Sequence, residues 1–163
     1  DFRAAERTFQ LLVQVAGRAG RGAGPGEVVV QTHNPDHYAI VFGAAQDYPA
    51  FAARELAVRR ELGYPPYTSL IRLVVSGKNP ARVEAAAADL RDSLLEAGAE
   101  PEAVLGPAPA VLARLRGVYR WQVMLRGPRP AIREVCRAGL ATWYGRAGRS
   151  VRLAVDVDPV TMT

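Results

Sequence analysis

Residues 63–67 read Gly-Tyr-Pro-Pro-Tyr, and no helix can run through them. Proline has no backbone N–H to donate, its ring clashes with the preceding helical turn, and it pushes the residue before it towards extended conformations. Two prolines behind a glycine therefore end whatever comes before. The break divides the 163-residue chain into two parts, residues 1–64 and 65–163, whose hydrophobic patterns differ.

The first part reads as helices around one short strand. Arg3, Arg7, Gln10, Gln14, Arg18 and Arg21 recur every three or four residues and form one polar stripe of a helix over residues 2–20. Phe2, Ala5, Phe9, Leu12, Ala16 and Ala19 lie opposite. The glycine-rich run at 20–26 stops that helix. Residues 27–32, Glu-Val-Val-Val-Gln-Thr, are β-branched and apolar enough to predict a buried strand. Asn34 is positioned to cap a second helix with Pro35 at its first position, ending near Ala45. Asp47 is positioned to cap a third, which runs to Leu62.

The second part reads β-α-β-β-α-β. Residues 69–75 form a strand. Asn79 and Pro80 start a helix with the apolar stripe Val83, Ala87, Leu90 and Leu94, and Gly98 ends it. Residues 103–115 are extended but interrupted by proline, which suits a sheet edge. Residues 118–126 alternate, with Tyr119, Trp121, Val123 and Leu125 on the core face. A helix from Pro130 to Tyr144 buries Ile132, Val135, Cys136, Leu140 and Trp143. Residues 150–158 close with the inner face Val151, Leu153, Val155 and Val157. The expected fold class is thus α/β and α+β, the second part a split-βαβ module with two helices on one sheet face. The other face would carry Arg72, Arg120, Gln122, Arg126 and Arg152.

Composition narrows the chemistry. Formal net charge is +5, and nearly all the positive charge is arginine, Lys78 being the single lysine. Guanidinium groups in such excess fit a partner bearing phosphates or carboxylates, although an arginine-rich composition alone would give the same balance. No apolar run is long enough to span a membrane. Cys136 is alone, which excludes an internal disulfide and a cysteine zinc cluster and fits a reducing cytoplasm. His33 and His37 have helical spacing without further ligands nearby, so no metal site is expected. Asp156 and Asp158 are expected to pair with neighbouring arginines. The chain opens on Asp1 with a helical pattern under way, as a segment of a longer protein would.

No Gly-x-x-x-x-Gly-Lys-Ser/Thr phosphate loop is present, nor any nucleophile with a base. What remains is Gln14-Val-Ala-Gly17-Arg18-Ala-Gly20-Arg21-Gly. Gln14, Arg18 and Arg21 lie on one side of a helix at i, i+4 and i+7. Arginine cannot act as a base, but two guanidiniums and an amide can neutralise charge on a transferred phosphoryl group. From charge pattern alone the simpler reading is two arginines at a helix C-terminus, favoured by the helix dipole. Gly-Arg-Ala-Gly-Arg recurs at 145–149 without the polar stripe and reads as a turn.

Residues 14–21 resemble motif VI of superfamily 2 helicases, Gln-x-x-Gly-Arg-x-Gly-Arg. With Arg-Arg-Glu-Leu-Gly-Tyr-Pro-Pro-Tyr at 59–67, Tyr-Arg-Trp-Gln at 119–122 and Asp-Val-Asp-Pro at 156–159, the whole chain resembles, in order, the C-terminal part of the PriA family of primosomal replication-restart DNA helicases. The resemblance implies that residues 1–64 end a second RecA-like helicase lobe and that residues 65–163 form a domain binding DNA and protein. It implies recognition of stalled forks and D-loops and reloading of the replicative helicase, in a bacterial, cytoplasmic, nucleoid-associated monomer. It places ATP with Mg2+ between this lobe and another, with Arg18 and Arg21 on the γ-phosphate and Gln14, Gly17 and Gly20 completing that side. Zinc would belong to an upstream module. Forked or single-stranded DNA, the acidic tail of single-stranded-DNA-binding protein and other primosome proteins are the implied partners. In that family a basic residue and a glutamine one turn apart hold the tail. The matching register here holds Pro130 and Glu134, so Arg129 and Arg133 beside them become the candidates. Two other readings are a non-enzymatic fork-binding scaffold with a degenerate helicase core and, from charge and β-α-β-β-α-β order alone, a ribosomal-protein-like RNA-binding module.

Overall fold

The computed structural model describes residues 2–19, 26–146 and 150–161. Contacts divide the chain into two compact units, Asp1–Leu62 and Gly63–Thr163.

The first unit holds three helices, α1 (Ala4–Ala19), α2 (Tyr38–Ala45) and α3 (Tyr48–Glu61). Its core is small. Phe9 stacks on Phe51 at a centroid distance of 4.2 Å, and Ala39, Val13 and Phe42 close around them. Asp47 caps α3 as its sequence predicts, its Oδ1 accepting from the Ala50 amide at 3.0 Å. The cap of α2 moves. Asn34 and Pro35 enter a turn in which the His37 amide donates to Asn34 O at 3.3 Å, and His37 Nδ1 accepts from the Ala39 amide at 3.2 Å. His37 is thus the cap, and the helix starts at Tyr38.

Residues 27–32 form no strand, and each of them is exposed. The expected burial fails for a physical reason: a strand is completed by a neighbour, and the described residues of this unit offer only helices. Val29 is 85% exposed.

The second unit runs β1 (Ser69–Gly77), α4 (Pro80–Glu96), a single 3₁₀ turn, β2 (Val104–Leu115), β3 (Val118–Gly127), α5 (Arg129–Arg146) and β4 (Arg152–Val157). The strands make one sheet in the order β2-β3-β1-β4, every pairing antiparallel. Ile71, Leu73, Val75, Val123 and Leu125 face α4 and α5 and bury completely with Val83, Ala87, Leu90 and Leu94. Each of the valine, leucine and isoleucine chains among them contributes roughly 1.5–3 kcal/mol. Where the helices cross, Gly139 stands against α4; a Cβ there would come within 2.9 Å of Leu94 Cδ2 and 3.1 Å of Ser93 O. Trp143 is buried, and its indole donates to Ala86 O at 2.9 Å.

β2 lies at one edge, with a bulge around Gly106. Its hairpin to β3 closes on Arg116 and Gly117 at φ 49° and 78°, a two-residue turn whose twist matches the strands. β4 is the other edge. Val155 and Val157 share the inner face by register with Leu73 and Ile71, yet are 46% and 42% exposed, because the helices sit over β1, β2 and β3. Beyond β4 the chain turns at Asp158 (φ 52°), whose amide donates to Leu70 O at 2.7 Å.

Candidate nucleotide-facing helix and nucleic-acid interface

On α1, Gln14, Gly17 and Arg18 are all exposed. A Cβ added at Gly17 would meet nothing within 4 Å. Glycine in a helix interior costs roughly 1 kcal/mol relative to alanine, and no described neighbour of Gly17 needs the space it leaves. Gly20 and Arg21 lie outside the described residues. Arg7, Gln10, Leu11 and Gln14 line an open depression along the same helix. The helix therefore presents a polar face carrying Gln14 and Arg18, with backbone accessible at Gly17.

The other face of α1 is held by a polar network that periodicity does not announce. Arg59 Nε donates to Glu55 Oε1 and Arg59 Nη2 to Glu6 Oε2, both at 2.7 Å. Tyr38 donates to Glu55 Oε2 at 2.6 Å, so the Glu6–Arg59–Glu55–Tyr38 chain of bonds links α1, α3 and α2. Burial, then the bond to Glu55, pushes the Tyr38 phenol up to about 12. Burial alone would lower Arg59; its bonds to Glu6 and Glu55 outweigh that and raise it. The signal in the sequence was Glu55 and Arg59 one turn apart, which is indistinguishable from a surface pair until Tyr38 is placed beside them.

In the second unit the register pairs Arg72 with Met124 on β3 and Asp156 on β4, on the face away from the helices. That face is only partly open. Leu70, Arg72 and Val74 are buried. Arg72 donates to Gln122 Oε1 at 3.2 Å and to Thr161 O at 3.3 Å. Its pKa is lowered by burial and then by the Arg120 charge. Arg72 thus organises the face from below. Arg120, Gln122 and Arg126 are half-buried and Arg152 is exposed; the Arg126 guanidinium lies 5.8 Å from the Tyr64 ring centre. Tyr119 and Trp121 pack against the core on the opposite face, which leaves their rings little access for stacking.

Arg129 and Arg133 occupy the first turns of α5 and are exposed. Arg129 pairs with Asp158 Oδ2 at 2.6 Å and donates to Ser69 Oγ at 3.2 Å. Cys136 is buried, which pushes its thiol up. Among the described residues no group of three or more His, Cys, Asp or Glu could hold a metal, and no helix is long and apolar enough to cross a membrane. From Ala103 to Arg133 there are six arginines and no carboxylate, so positive charge concentrates on β2, β3 and the start of α5.

Residues 60–160 match the model of the primosomal protein N C-terminal domain. The chain belongs to that family. It is also similar over nearly all its length to curated relatives named replication restart protein PriA: 43% identical to that of Treponema pallidum over 99% of the chain, 38% to that of Haemophilus influenzae over 98%, and 36% to that of Bacillus subtilis over 99%. It spans 24%, 22% and 20% of those relatives, so family membership describes about a quarter or less of each whole protein. Similarity continues through α1 to α3, upstream of the matched domain.

Proposed function

We propose that this chain is the C-terminal part of a bacterial replication-restart helicase, with residues 1–62 ending a RecA-like lobe and residues 63–163 forming a split-βαβ domain that binds forked or single-stranded DNA. The observation that carries this reading is the exposed face of α1. Gln14 and Arg18 flank a glycine that no described residue packs against, which is what close approach of a nucleotide and a second lobe requires.

In the whole protein, bound ATP with Mg2+ supplies the phosphoryl group that is transferred to water. Arg18 and Arg21 bind the γ-phosphate oxygens and neutralise charge that grows as the bond breaks, an effect worth orders of magnitude in rate. Gln14 holds the same face in register, and Gly17 lets the backbone come close; Gly20 belongs to the same motif. The described residues do not fit zinc: Cys136 is single and buried.

The DNA surface is Arg120, Gln122, Arg126 and Arg152, with Arg72 bracing them. The acidic tail of a single-stranded-DNA-binding protein would dock at Arg133 and at Arg129, the latter by exchanging Asp158 for a partner carboxylate. In the full-length protein, Arg18→Ala and Arg21→Ala should each lower ATP turnover by about 100-fold or more while DNA affinity holds. Unchanged turnover would reject the phosphate role and leave a fork-binding scaffold.

A further inference from the structure

At one end of the sheet in the second unit lies a cleft of about 560 Å³ lined by Ser76, Lys78, Asn79, Arg82, Val118 and Arg152, among others. Gly77 forms part of its floor. A Cβ there would come within 3.0 Å of Val83 Cγ2 and 3.2 Å of Ser150 O, so bare backbone lets the chain entering β4 close the end of β1. The end of β1, the first turn of α4, the start of β3 and the start of β4 meet around this space.

Three cations converge there. Lys78, Arg82 and Arg152 are exposed, and none forms an ion pair with a described residue. The contrast is with Arg59, Arg129 and Arg146, each paired to a carboxylate. No carboxylate is among the described residues that line the cleft. Like charges held in a concave site focus a positive potential, which an anion relieves. Asn79 is already used, its Oδ1 accepting from the Arg82 amide at 3.1 Å. Ser76 Oγ makes only a long 3.5 Å contact to Arg152 O and keeps hydrogen-bonding capacity. Val118 is the one large apolar side chain of the lining. An aromatic-ended acidic peptide would find little to bury against, whereas a phosphate suits guanidinium forks and an ammonium.

The cleft also has a direction. Arg152 pairs with Ser76, and Ser76 with Arg120. These three residues stand side by side across β4, β1 and β3, on the face proposed to meet DNA. We propose that the cleft is a phosphate subsite of that interface: Lys78, Arg82 and Arg152 clasp one backbone phosphate of a nucleic-acid strand, which continues over Ser76 towards Arg120. The proposal rests on the DNA reading above.

Binding of a labelled single-stranded oligonucleotide to the whole chain, measured by anisotropy over a range of salt, tests it alongside amide NMR shifts on titration with inorganic phosphate. The Lys78→Gln, Arg82→Gln double variant should bind roughly tenfold or more weakly, and its log–log salt slope should fall by about 0.7, the value for one phosphate contact on a single strand. Lys78→Arg should keep both values. Phosphate should shift the Gly77, Lys78 and Asn79 amides. Unchanged affinity and slope in the double variant, with binding still lost in Arg120→Glu, Arg126→Glu, would overturn the subsite and leave the DNA surface standing. No oligonucleotide binding by the unaltered chain at low salt would overturn the DNA reading itself, whatever phosphate does. Tighter capture of a carboxylate-rich peptide than of an oligonucleotide of equal charge would also overturn the proposal, in favour of a protein partner.

Discussion

Gly17 shows how a single residue can be locally unfavourable and still informative. With nothing described within 4 Å of an added Cβ, Gly17→Ala should stabilise this chain by up to about 1 kcal/mol through helix propensity. A melting curve measures that gain, and ATP turnover of the full-length protein should fall in the same variant. Loss of stability would mean the position is packed after all. Tyr38 offers a pH test. Its phenol is raised from 10.0 to about 12 in the fold, so the unfolded chain releases its proton first. The associated stability is complete below pH 10 and disappears as pH rises towards 12. Tyr38→Phe should flatten that alkaline loss in denaturant titrations; an unchanged profile would assign the loss to other groups. At this scale the sequence identified which face Arg72 lies on, because strand alternation is strict. It did not reveal that Arg72 is 4% exposed, because that depends on the chain after β4 returning to bond it.

α4, whose signals are all local, was legible in full, whereas α2 starts three residues later than its Asn-Pro signal because His37 takes the cap. α4 carries its cap at Asn79, proline at its first position, a stripe of four apolar residues and a left-handed glycine at φ 93° beyond its end, and each is where the pattern placed it. Residues 27–32 were misread because a strand has no local closure; its hydrogen bonds belong to a neighbour. Gly139 was passed over because its role lies against Ser93 and Leu94 of α4, far earlier along the chain. Gly139→Val should force α4 and α5 apart and cost about 1–3 kcal/mol, as overpacking of a filled core does. Chemical denaturation would show it as a lower midpoint with unchanged slope, and a midpoint equal to the unaltered chain's would mean the helices can separate freely.

Across the whole molecule, each unit carries its own core, but the two differ greatly in size. Among the described residues the second buries thirteen in one cluster and the first three. Residues 63–163 alone should therefore unfold in one cooperative transition, whereas residues 1–62 alone should lose most of their helix, since short helices need packing to persist. Circular dichroism of the two pieces distinguishes these outcomes, and a cooperatively melting 1–62 would show that the Glu6–Arg59–Glu55–Tyr38 bonds outweigh its thin core. Charge at this scale was legible as a total but not as a map, because the acid-free stretch from 103 to 133 only becomes a surface once β2 and β3 pair. The three valines at 28–30 have a last consequence for handling. Without a neighbouring strand among the described residues, their backbone donors and acceptors stay open to a second strand, so this chain taken alone should associate more readily as its concentration rises. A lone lysine in place of Val29 should suppress that association.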